Sequence, residues 1–320
     1  MTTRRRALVT GISGQDGSYL AERLVADGVE VHALANMHEP PLDLPDVELH
    51  PGDLLDEDAV RRLVLDVAPD EVYNLAALSS VAQSWEKPGL TARLNGTAAV
   101  ALMESAWQSQ ERSGRTVRFV QASSAEIFGE PDRSPQDEAT TVRPINPYGA
   151  AKAFAHLSAH VYRQRGLHAA SVILYNHESP RRPRQFVTRK ITSTVAAIAR
   201  GEAETLTLGN LDARRDWGWA PDYVDAMVRA ARATDPDDFV IATGLSHSVR
   251  EFVAAAFDRA GVTDWSDRLS VDESLVRPAD ATELVGDSTR AREVLGWAPT
   301  VTFEEIVGRM VDADLDPVSR

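Results

Sequence analysis

Short runs of apolar residues alternate with longer amphipathic segments through the first 180 residues of the chain. The short runs predict strands, and segments in which apolar residues recur every three or four positions predict helices. Strict alternation of strand and helix is typical of βαβ units with right-handed crossovers, so we predict an α/β fold built on a doubly wound parallel sheet. The predicted strands are 7–10, 30–34, 48–50, 71–75, 117–121 and 170–175, and the predicted helices are 18–27, 56–67, 96–108 and 147–164, with 188–200 and 249–260 further along.

The alternation ends near residue 176. Beyond this point, segments rich in arginine and proline at 179–185 and 276–280 interrupt the helical pattern. With roughly 150 residues per domain, a chain of 320 residues has room for about two domains. We therefore predict a first domain over 1–175 and a smaller C-terminal lobe over 176–320, some segments of which return to the sheet.

The composition is that of a globular protein without membrane segments. Hydrophobic residues make up 43% and charged residues 26% of the chain, and charges interrupt every apolar run well before the roughly 18 residues that span a bilayer. The net charge of -14 gives no basic field for nucleic acid, and the basic N-terminus leads into only a short apolar run, unlike a secretory signal. The absence of cysteine excludes disulfides and thiolate zinc sites. We expect a cytoplasmic protein with no metal site, no membrane association and no nucleic-acid partner.

A glycine-rich segment, TGISGQDG at 10–17, directly follows the first predicted strand and opens the first helix. Glycine allows a tight turn and lets the backbone approach a pyrophosphate at the helix N-terminus. The spacing is GxxGxxG, and a plain glycine turn is the alternative, but the flanking strand and helix favour a dinucleotide site in a Rossmann-like domain. Polar, acidic or small residues also follow the second, third and fourth strands, at the edge where a cofactor would lie. The candidate cofactor ligands in these segments are Gly11, Gly14, Gln15, Asp16, Gly17, Asn36, Asp53, Leu54, Leu75, Ala76 and Ala77.

The end of the second strand bears on the choice of dinucleotide. An NAD site usually places a carboxylate there for the ribose hydroxyls, and an NADP site places arginines there for the phosphate. Here the segment 35–38 reads Ala-Asn-Met-His, and the chain has no lysine or arginine between Arg23 and Arg61. Both NAD and NADP stay open, and the lack of local cations for a 2′-phosphate favours NAD.

Tyr148 and Lys152 lie four positions apart at the start of a predicted helix, so both project from one face. A nearby ammonium, together with an oxidised nicotinamide, lowers the pKa of a phenol and makes it a base for a sugar hydroxyl. Both residues are therefore candidate catalytic groups and cofactor ligands. Alone, such a pair is typical of a solvated helix face.

Ser124 and Glu126 follow the fifth predicted strand, at the edge where an α/β sheet places its chemistry. The hydroxyl would bind the reacting oxygen, and the carboxylate would remove a carbon-bound proton made acidic by an adjacent ketone. The alternative is an N-cap serine beside a glutamate that faces solvent. Together with Tyr148 and Lys152, these residues complete the candidate catalytic set.

These motifs resemble those of the extended short-chain dehydrogenase/reductase superfamily. Within it, the chain resembles the GDP-mannose 4,6-dehydratases over nearly its whole length. The superfamily motifs indicate only an enzyme of nucleotide sugars, whereas NHESPRR, FVTRKI and GNLDARRDWG are more specific to the GDP-sugar branch. The matching stretches are TGISGQDGSYLAE, NLAALSSV, QASSAEIFGE, NPYGAAKA, YNHESPRR, FVTRKIT, GNLDARRDWG and RPADATELVGDSTRAREVLGW.

The resemblance implies a hydro-lyase with a tightly bound, recycled NAD or NADP, which forms a 4-keto-6-deoxy sugar from a GDP-sugar such as GDP-mannose. Tyr148, poised by Lys152 and Ser124, would take the proton of the carbon 4 hydroxyl while hydride passes to the nicotinamide. Glu126 would take the proton on carbon 5, water would leave from carbon 6, and the hydride would return there. Three alternatives stay open: a GDP-sugar epimerase, a dehydratase for an unusual GDP-sugar of antibiotic biosynthesis, and a catalytically silent dinucleotide sensor.

The resemblance also implies a GDP-sugar site in the C-terminal lobe. Arginine forms bidentate hydrogen bonds with phosphate, so cations in the family-specific stretches would hold the diphosphate beside a cradle for guanine. An alternative is that Arg181, Arg182, Arg184 and Arg189 form only a basic surface loop. The candidate substrate ligands are Ser79, Asn176, Arg181, Val187, Lys190, Arg215 and Arg277.

Two departures from the family pattern lie close to the expected chemistry. The loop after the fourth strand carries Leu78 and Ser80 in place of the family's amide and imidazole. The catalytic hydroxyl is Ser124 where threonine is usual, and Ala125 follows it where serine is usual. At Leu78 and Ser80, polar contacts are thereby lost, and room is gained beside the sugar and the nicotinamide.

A third departure concerns assembly. The family's arginine-rich segment after the second strand holds the NADP phosphate and supports a tetramer. Here it is short and contains Pro40, Pro41 and Pro45. This favours a homodimer through helices 96–108 and 147–164, as in the wider superfamily, over a tetramer.

Overall fold

The computed structural model describes residues 4–36, 44–275, 279 and 281–316. Within these residues, no helix combines the length and the apolar character needed to cross a bilayer. The strands in chain order are β1 (Arg6–Thr10), β2 (Glu30–Ala35), β3 (Val47–Pro51), β4 (Glu71–Asn74), β5 (Arg118–Ala122), β6 (His168–Leu174), β7 (Asn176–Glu178), β8 (Leu206–Leu208), β9 (Arg214–Trp219), β10 (Asp238–Ile241), β11 (Ser246–Ser248), β12 (Leu269–Val271) and β13 (Glu283–Leu284). The α-helices are α1 (Gln15–Ala26), α2 (Glu57–Val67), α3 (Val81–Glu86), α4 (Pro88–Ala92), α5 (Ala98–Ser113), α6 (Pro147–Gln164), α7 (Val187–Ala199), α8 (Ala220–Arg232), α9 (Val249–Arg259), α10 (Thr289–Leu295) and α11 (Phe303–Leu315).

Seven parallel strands form the main sheet, in the order β10-β6-β5-β4-β1-β2-β3. This arrangement confirms the predicted α/β fold with a doubly wound, Rossmann-like parallel sheet. Because β4 pairs with one side of β1 and β2 with the other, the strand order reverses at β1. Open α/β sheets bind their ligands in the crevice at the carboxyl ends of the strands beside such a reversal.

Both faces of β1 are buried by helices, which explains why this strand is apolar at consecutive positions. Val9 belongs to an apolar cluster that contains Leu20 and Leu24 of α1. Leu8 points to the opposite face and belongs to a second cluster with Val64 of α2 and Leu102 of α5. The main sheet is thus a rigid support for the loops at its carboxyl edge.

Part of the chain beyond residue 176 returns to the main sheet. Strand β10 pairs with β6, and α8 packs in the same cluster as α1. Other segments form a smaller sheet, in which β9 pairs with β11 in antiparallel fashion and with β7 and β13 in parallel fashion, and a separate pair of parallel strands, β8 and β12. Helices α7, α9 and α11 enclose a separate core that includes Ile191, Phe252 and Val307. The division into domains at residue 175 stays a prediction.

A buried ion pair joins α7 to α11. The Arg189 guanidinium contacts the Asp314 carboxylate, and both side chains are almost fully shielded from solvent. Thr192 Oγ1 donates to Asp314 Oδ2 at 2.9 Å, and Arg189 Nε donates to the Pro180 carbonyl at 3.1 Å. Arg189 is therefore part of the core of the lobe and not of a basic surface loop.

Candidate active site

The glycine-rich turn between β1 and α1 is pressed against the end of β4. Gly11 has a φ of +75°, and a Cβ there would lie 2.7 Å from the Ala76 nitrogen, so a side chain is excluded. Thr10 Oγ1 joins the same segments, because it donates to Asn74 Oδ1 at 2.8 Å and accepts from the Ala76 N–H at 3.2 Å. The start of α1 lines the adjoining cleft, and the first N–H groups of a helix favour an anion.

This cleft at the carboxyl edge of the main sheet gathers all the predicted cofactor ligands other than Tyr148 and Lys152. It also holds Ser79, which the sequence places at the substrate. The loop before α7 contributes three further lining residues that sequence reasoning missed as ligands: Arg182, Pro183 and Phe186. The ends of β1, β2, β3 and β4 and one loop of the C-terminal lobe therefore surround a single cavity.

The segments that follow β2 and β3 form one rim of this cleft, and only part of this rim belongs to the described residues. Asn36 lines the cleft at the end of β2, and Asp53 does so after β3, where its Oδ1 accepts from the Leu55 N–H at 2.9 Å. The segment on which the choice between NAD and NADP depends includes Met37, His38, Pro40 and Pro41, which lie outside the described residues.

The glycine-rich turn and the NHESPRR stretch are joined by side-chain hydrogen bonds. His177 Nε2 lies 2.8 Å from Asp16 Oδ2, and Gln15 Nε2 donates to the His177 carbonyl at 3.1 Å. Ser179 Oγ donates to Gln15 Oε1 at 2.8 Å. Burial alone would raise the pKa of Asp16 and lower that of His177, but their mutual attraction reverses both shifts, so the pKa of Asp16 is lowered and that of His177 is raised. The two residues form a buried ion pair at the cleft.

Helix α6 carries Tyr148 and Lys152, and the residues at its N-terminus are typical of a well-capped helix. Asn146 is its N-cap and accepts from the Gly149 N–H at 2.7 Å, and Pro147 occupies the first helical position. Lys152 is buried, and its Nζ donates to the Ala122 carbonyl at 2.9 Å. Nζ lies 5.9 Å from the centroid of the Tyr148 ring. The structure therefore places the phenol and the ammonium close to each other at the end of β5.

The protonation of this pair is dominated by burial. Burial raises the pKa of the Tyr148 phenol to about 12; the hydrogen bond with Ser124 opposes this shift, and the charge of Glu126 adds to it. Burial lowers the pKa of the Lys152 ammonium to about 8, against the attraction of Asp16. The groups of the protein alone therefore keep Tyr148 protonated, and the expected lowering of its pKa requires a further positive charge.

Glu126 lies in a short 3₁₀ turn after β5, directly against the start of α6. Its Oε2 accepts from Asn146 Nδ2 at 2.7 Å, and its backbone N–H donates to Ser124 Oγ at 3.2 Å. A Cβ at Gly149 would lie 2.3 Å from the Glu126 carbonyl oxygen, so the close approach of α6 requires glycine there. Sequence reasoning missed Asn146, although an Asn-Pro pair before a helical pattern is a recognisable start signal.

Arg181 and Arg182 point to different places. The Arg181 guanidinium lies 4.0 Å from the centroid of the Tyr19 ring, and Nη2 donates to Glu22 Oε1 at 2.7 Å, so the structure places this predicted substrate ligand on the exposed face of α1. Arg182 instead lines the cleft, with its guanidinium 3.8 Å from the centroid of the Phe186 ring. Of these two cations, the structure brings Arg182 and not Arg181 to the cleft.

The other predicted substrate ligands lie in the C-terminal lobe. Arg215 is buried in β9 and donates to the Ala281 carbonyl at 2.9 Å, while Asn176, at the start of β7, pairs with β9. Val187 and Lys190 occupy the first turn of α7 and are half-buried. Arg277 lies outside the described residues.

Known proteins match this chain over nearly its full length. The family model for GDP-mannose 4,6 dehydratase matches residues 8–310. The chain is 44% identical to GDP-mannose 4,6 dehydratase 1 of Arabidopsis thaliana, over 99% of this chain and 91% of the relative. It is 40% identical to GDP-mannose 4,6 dehydratase of Homo sapiens, over 98% of this chain and 92% of the relative. The crystal structure of UDP-glucose 4-epimerase from Thermus thermophilus in complex with NAD matches with a TM-score of 0.84 and 29% identity, over 97% of this chain and 98% of that one.

These similarities agree with the arrangement of the candidate site. Ser124, Glu126, Tyr148 and Lys152 meet at the carboxyl end of β5, beside a cleft that a glycine-rich turn opens. The structural match to an epimerase accounts for the fold, and the matched family model and the two dehydratases account for the stretches beyond the common superfamily motifs. The chain belongs to the GDP-mannose 4,6-dehydratase family.

Proposed function

We propose that this chain is a GDP-sugar 4,6-dehydratase that converts GDP-mannose, or a closely related GDP-sugar, into its 4-keto-6-deoxy derivative. The observation that carries the proposal is the hydrogen bond from Asn146 to Glu126, which holds a carboxylate beside the helix that bears Tyr148. Dehydration needs one base for the hydroxyl on carbon 4 and another for the proton on carbon 5. An enzyme that only inverts carbon 4 has no use for the second base.

The cleft fits a nicotinamide dinucleotide. Its turn excludes a side chain at Gly11, and the start of α1 offers N–H groups to a pyrophosphate. The structurally similar Thermus thermophilus epimerase binds NAD. When bound, the oxidised nicotinamide supplies a hydride acceptor and a positive charge that lowers the pKa of the Tyr148 phenol.

The residues of the chain divide the proton transfers between them. Tyr148 takes the proton of the carbon 4 hydroxyl, Ser124 hydrogen-bonds the same oxygen, and Lys152 is held close by the Ala122 carbonyl. The resulting ketone makes the proton on carbon 5 acidic. Glu126 takes this proton and passes it to the hydroxyl that leaves carbon 6, so one water is lost and the carboxylate is restored. Carbon 6 then regains the hydride that carbon 4 gave up, carbon 5 takes a proton from solvent, and Tyr148 returns its own proton to solvent. The hexose therefore loses the elements of water and undergoes no net oxidation.

We propose NAD as the dinucleotide. An NADP site needs cations for the 2′-phosphate, and the chain has no lysine or arginine between Arg23 and Arg61, the interval that contains the end of β2. Mass spectrometry of the cofactor released from the purified protein tests this directly. NADP as the main species would contradict it and would indicate that a cation from another part of the chain reaches the ribose.

We propose a homodimer that forms through α5 and α6. Phe154, Leu157 and Val161 of α6 form an apolar stripe at helical spacing, and they are 49%, 53% and 63% exposed. A partner copy would bury this stripe. Leu157→Glu should therefore give monomers in light scattering, whereas Leu245→Glu, at a more exposed leucine outside α6, should not. A tetrameric wild type, or a dimer unaffected by Leu157→Glu, would contradict the proposal.

The reaction itself is tested by incubating the enzyme with GDP-mannose in heavy water. A dehydratase gives a product that has lost one water and that carries solvent deuterium on carbon 5. An epimerase, the alternative function and the activity named for the structurally similar Thermus thermophilus protein, gives an isomer of unchanged skeleton without deuterium there. If GDP-mannose does not react, the same assay with other GDP-hexoses and longer GDP-sugars distinguishes an enzyme for a different substrate from a protein without this activity.

A further inference from the structure

Two imidazoles and two carboxylates share one face of β2 and the edge strand β3. His32 lies opposite Glu48 in the parallel pairing, and His50 follows Glu48 by two positions on the same strand. Side chains two positions apart in a strand point to the same face, so Glu30 and His32 of β2 lie beside Glu48 and His50 of β3. Both Glu48 and His50 are within reach of the ring of His32.

The spacing of their donor atoms is that of a metal site. His32 Nδ1 lies 3.0 Å from His50 Nε2. Glu48 Oε2 lies 3.5 Å from His32 Nδ1, and Glu48 Oε1 lies 3.6 Å from His50 Nε2. In a tetrahedral zinc site with Zn–N distances of about 2.0–2.1 Å and Zn–O distances of about 2.0–2.2 Å, neighbouring ligand atoms lie roughly 3.3 Å apart. One ion can therefore contact both histidines and the carboxylate with little movement.

The second nitrogen of His32 has the partner that metal-bound histidines usually have. His32 Nε2 lies 3.2 Å from Glu30 Oε1. A carboxylate that accepts the N–H of one ring nitrogen fixes the tautomer and turns the lone pair of the other toward the metal. Here that lone pair belongs to Nδ1, which faces His50 and Glu48. Glu30 thus orients a ligand and does not compete for the ion.

We propose that His32, Glu48 and His50 bind one divalent transition-metal ion, with Zn²⁺ as the best match to two imidazoles and a carboxylate. Three protein ligands leave a fourth position for water, on the side where Glu48 is 64% exposed. The sequence predicts no metal site because His32 and His50 are 18 positions apart and belong to no short ligand motif. Only the pairing of β2 with β3 brings them together.

The bound ion would have a structural role. It would cross-link β3, the edge strand, to β2; Leu34 of β2 and Asn36, directly after this strand, line the cofactor cleft. Tyr148 and Glu126 lie at the end of β5, on the far side of β4 and β1 in the strand order, so the ion takes no part in the proton transfers. The ion would instead stabilise one wall of the cleft.

Titration of the untagged, chelator-treated full chain with Zn²⁺ tests the site by calorimetry. We expect one ion per chain, and slower hydrogen exchange of the β3 amides when it is bound. Glu48→Gln and His50→Asn should abolish stoichiometric binding, and Glu30→Gln should weaken it by about 10- to 100-fold. His160→Gln, at an exposed histidine of α6, is the matched control and should bind as the wild type does.

Glu48 is exposed enough that its replacement does not disturb the core, so loss of binding in Glu48→Gln with an unchanged circular dichroism spectrum reports the site itself. A wild type that binds no Zn²⁺ at micromolar concentration would overturn the proposal. Equal binding by the wild type, Glu48→Gln and His50→Asn would overturn it as well, because the ion would then lie elsewhere.

Discussion

The side-chain amide of Asn146 donates to the Glu126 carboxylate at 2.7 Å. The oxygen of the same side chain accepts from the Gly149 N–H and caps α6, the helix that bears Tyr148. One residue therefore sets the position of both proposed bases relative to each other. This relationship allows the chemistry of the site to be separated from its folding by substitution.

Glu126→Gln should abolish dehydration while it leaves oxidation at carbon 4 possible. The glutamine amide is nearly isosteric and still accepts from Asn146, but it cannot take a proton. We expect the dehydration rate to fall by about 10²- to 10⁴-fold, with reduced nicotinamide accumulating and visible by its absorbance. Glu111→Gln, at an exposed position of α5, is the control and should keep the dehydration rate of the wild type. Full dehydration by Glu126→Gln would show that another group removes the carbon 5 proton.

Asn146→Asp should impair catalysis without loss of the helix cap. Aspartate still accepts from the Gly149 N–H, so the cap is kept, whereas Asn146→Ala loses it at a cost of about 1 kcal/mol. A second carboxylate 2.7 Å from Glu126 repels it, and the lost charge-assisted hydrogen bond predicts a fall in kcat/KM of roughly 10- to 100-fold.

The pH dependence distinguishes this positioning role from a purely structural one. Repulsion between the two carboxylates favours the protonated form of the pair, so the acid limb of the kcat/KM profile of Asn146→Asp should move to higher pH. An unchanged profile together with a stability loss equal to that of Asn146→Ala would mean that Asn146 acts only as a cap.

The parts of the fold that depend on local features are predictable from the sequence. The strand before Gly11, the turn that follows it and the start of α6 at Pro147 are each determined by a few adjacent residues. The membership of β10 in the main sheet is different, because it depends on the pairing of Ile241 with Leu174, far away in the chain. No local pattern reports such a pairing.

The candidate site shows the same limit. Ser124, Glu126, Tyr148 and Lys152 are found by motif, because their spacing follows from one strand end and one helix. Arg181 and Arg182 are neighbours of identical type, and only the course of the backbone decides which of them reaches the cleft. The ligand set on β2 and β3 is likewise hidden, because it requires the register between the two strands.

Lys152→Met should move the activity to higher pH. Burial raises the pKa of the Tyr148 phenol to about 12. We expect the Lys152 ammonium to help lower this pKa once the cofactor is bound, because a nearby positive charge favours the phenolate. Without the ammonium the phenol holds its proton more tightly, so kcat at neutral pH should fall by at least about 10²-fold and the rate should rise over a higher pH range. The measurement is a pH–rate profile of protein with a determined cofactor content. Tyr148→Phe should be inactive at every pH, and an unshifted Lys152→Met profile would contradict the role of the ammonium.

Arg182→Gln and Arg181→Gln form a matched pair at the cleft. Loss of Arg182 removes a cation from the cavity lining, so we expect the affinity for an anionic ligand of the cleft, either the dinucleotide or GDP, to fall by roughly 10-fold or more. Loss of Arg181 breaks a contact with the Tyr19 ring, a hydrogen bond to Ser18 and an exposed ion pair with Glu22, which contributes about 0–1 kcal/mol to stability. None of these contacts lies in the cleft, so both affinities should stay unchanged. Calorimetric titration of each variant with each ligand provides the test. Weaker ligand binding by Arg181→Gln, together with unchanged binding by Arg182→Gln, would contradict the assignment of Arg182 to the ligand site.

The ion pair between Asp16 and His177 should make stability depend on pH in a defined direction. Because the pKa of His177 is raised above 6.5, its contribution is complete below that pH and is lost as the pH rises through the raised pKa. Because the pKa of Asp16 is lowered from 3.8, its contribution is present above that pH and is lost only as the pH falls through the lowered pKa. The free energy of unfolding of the wild type should therefore decline above pH 6.5 more steeply than that of the Asp16→Asn, His177→Gln double variant. His160→Gln should follow the wild type, and parallel profiles for the wild type and the double variant would show that the pair is not charged in the folded protein.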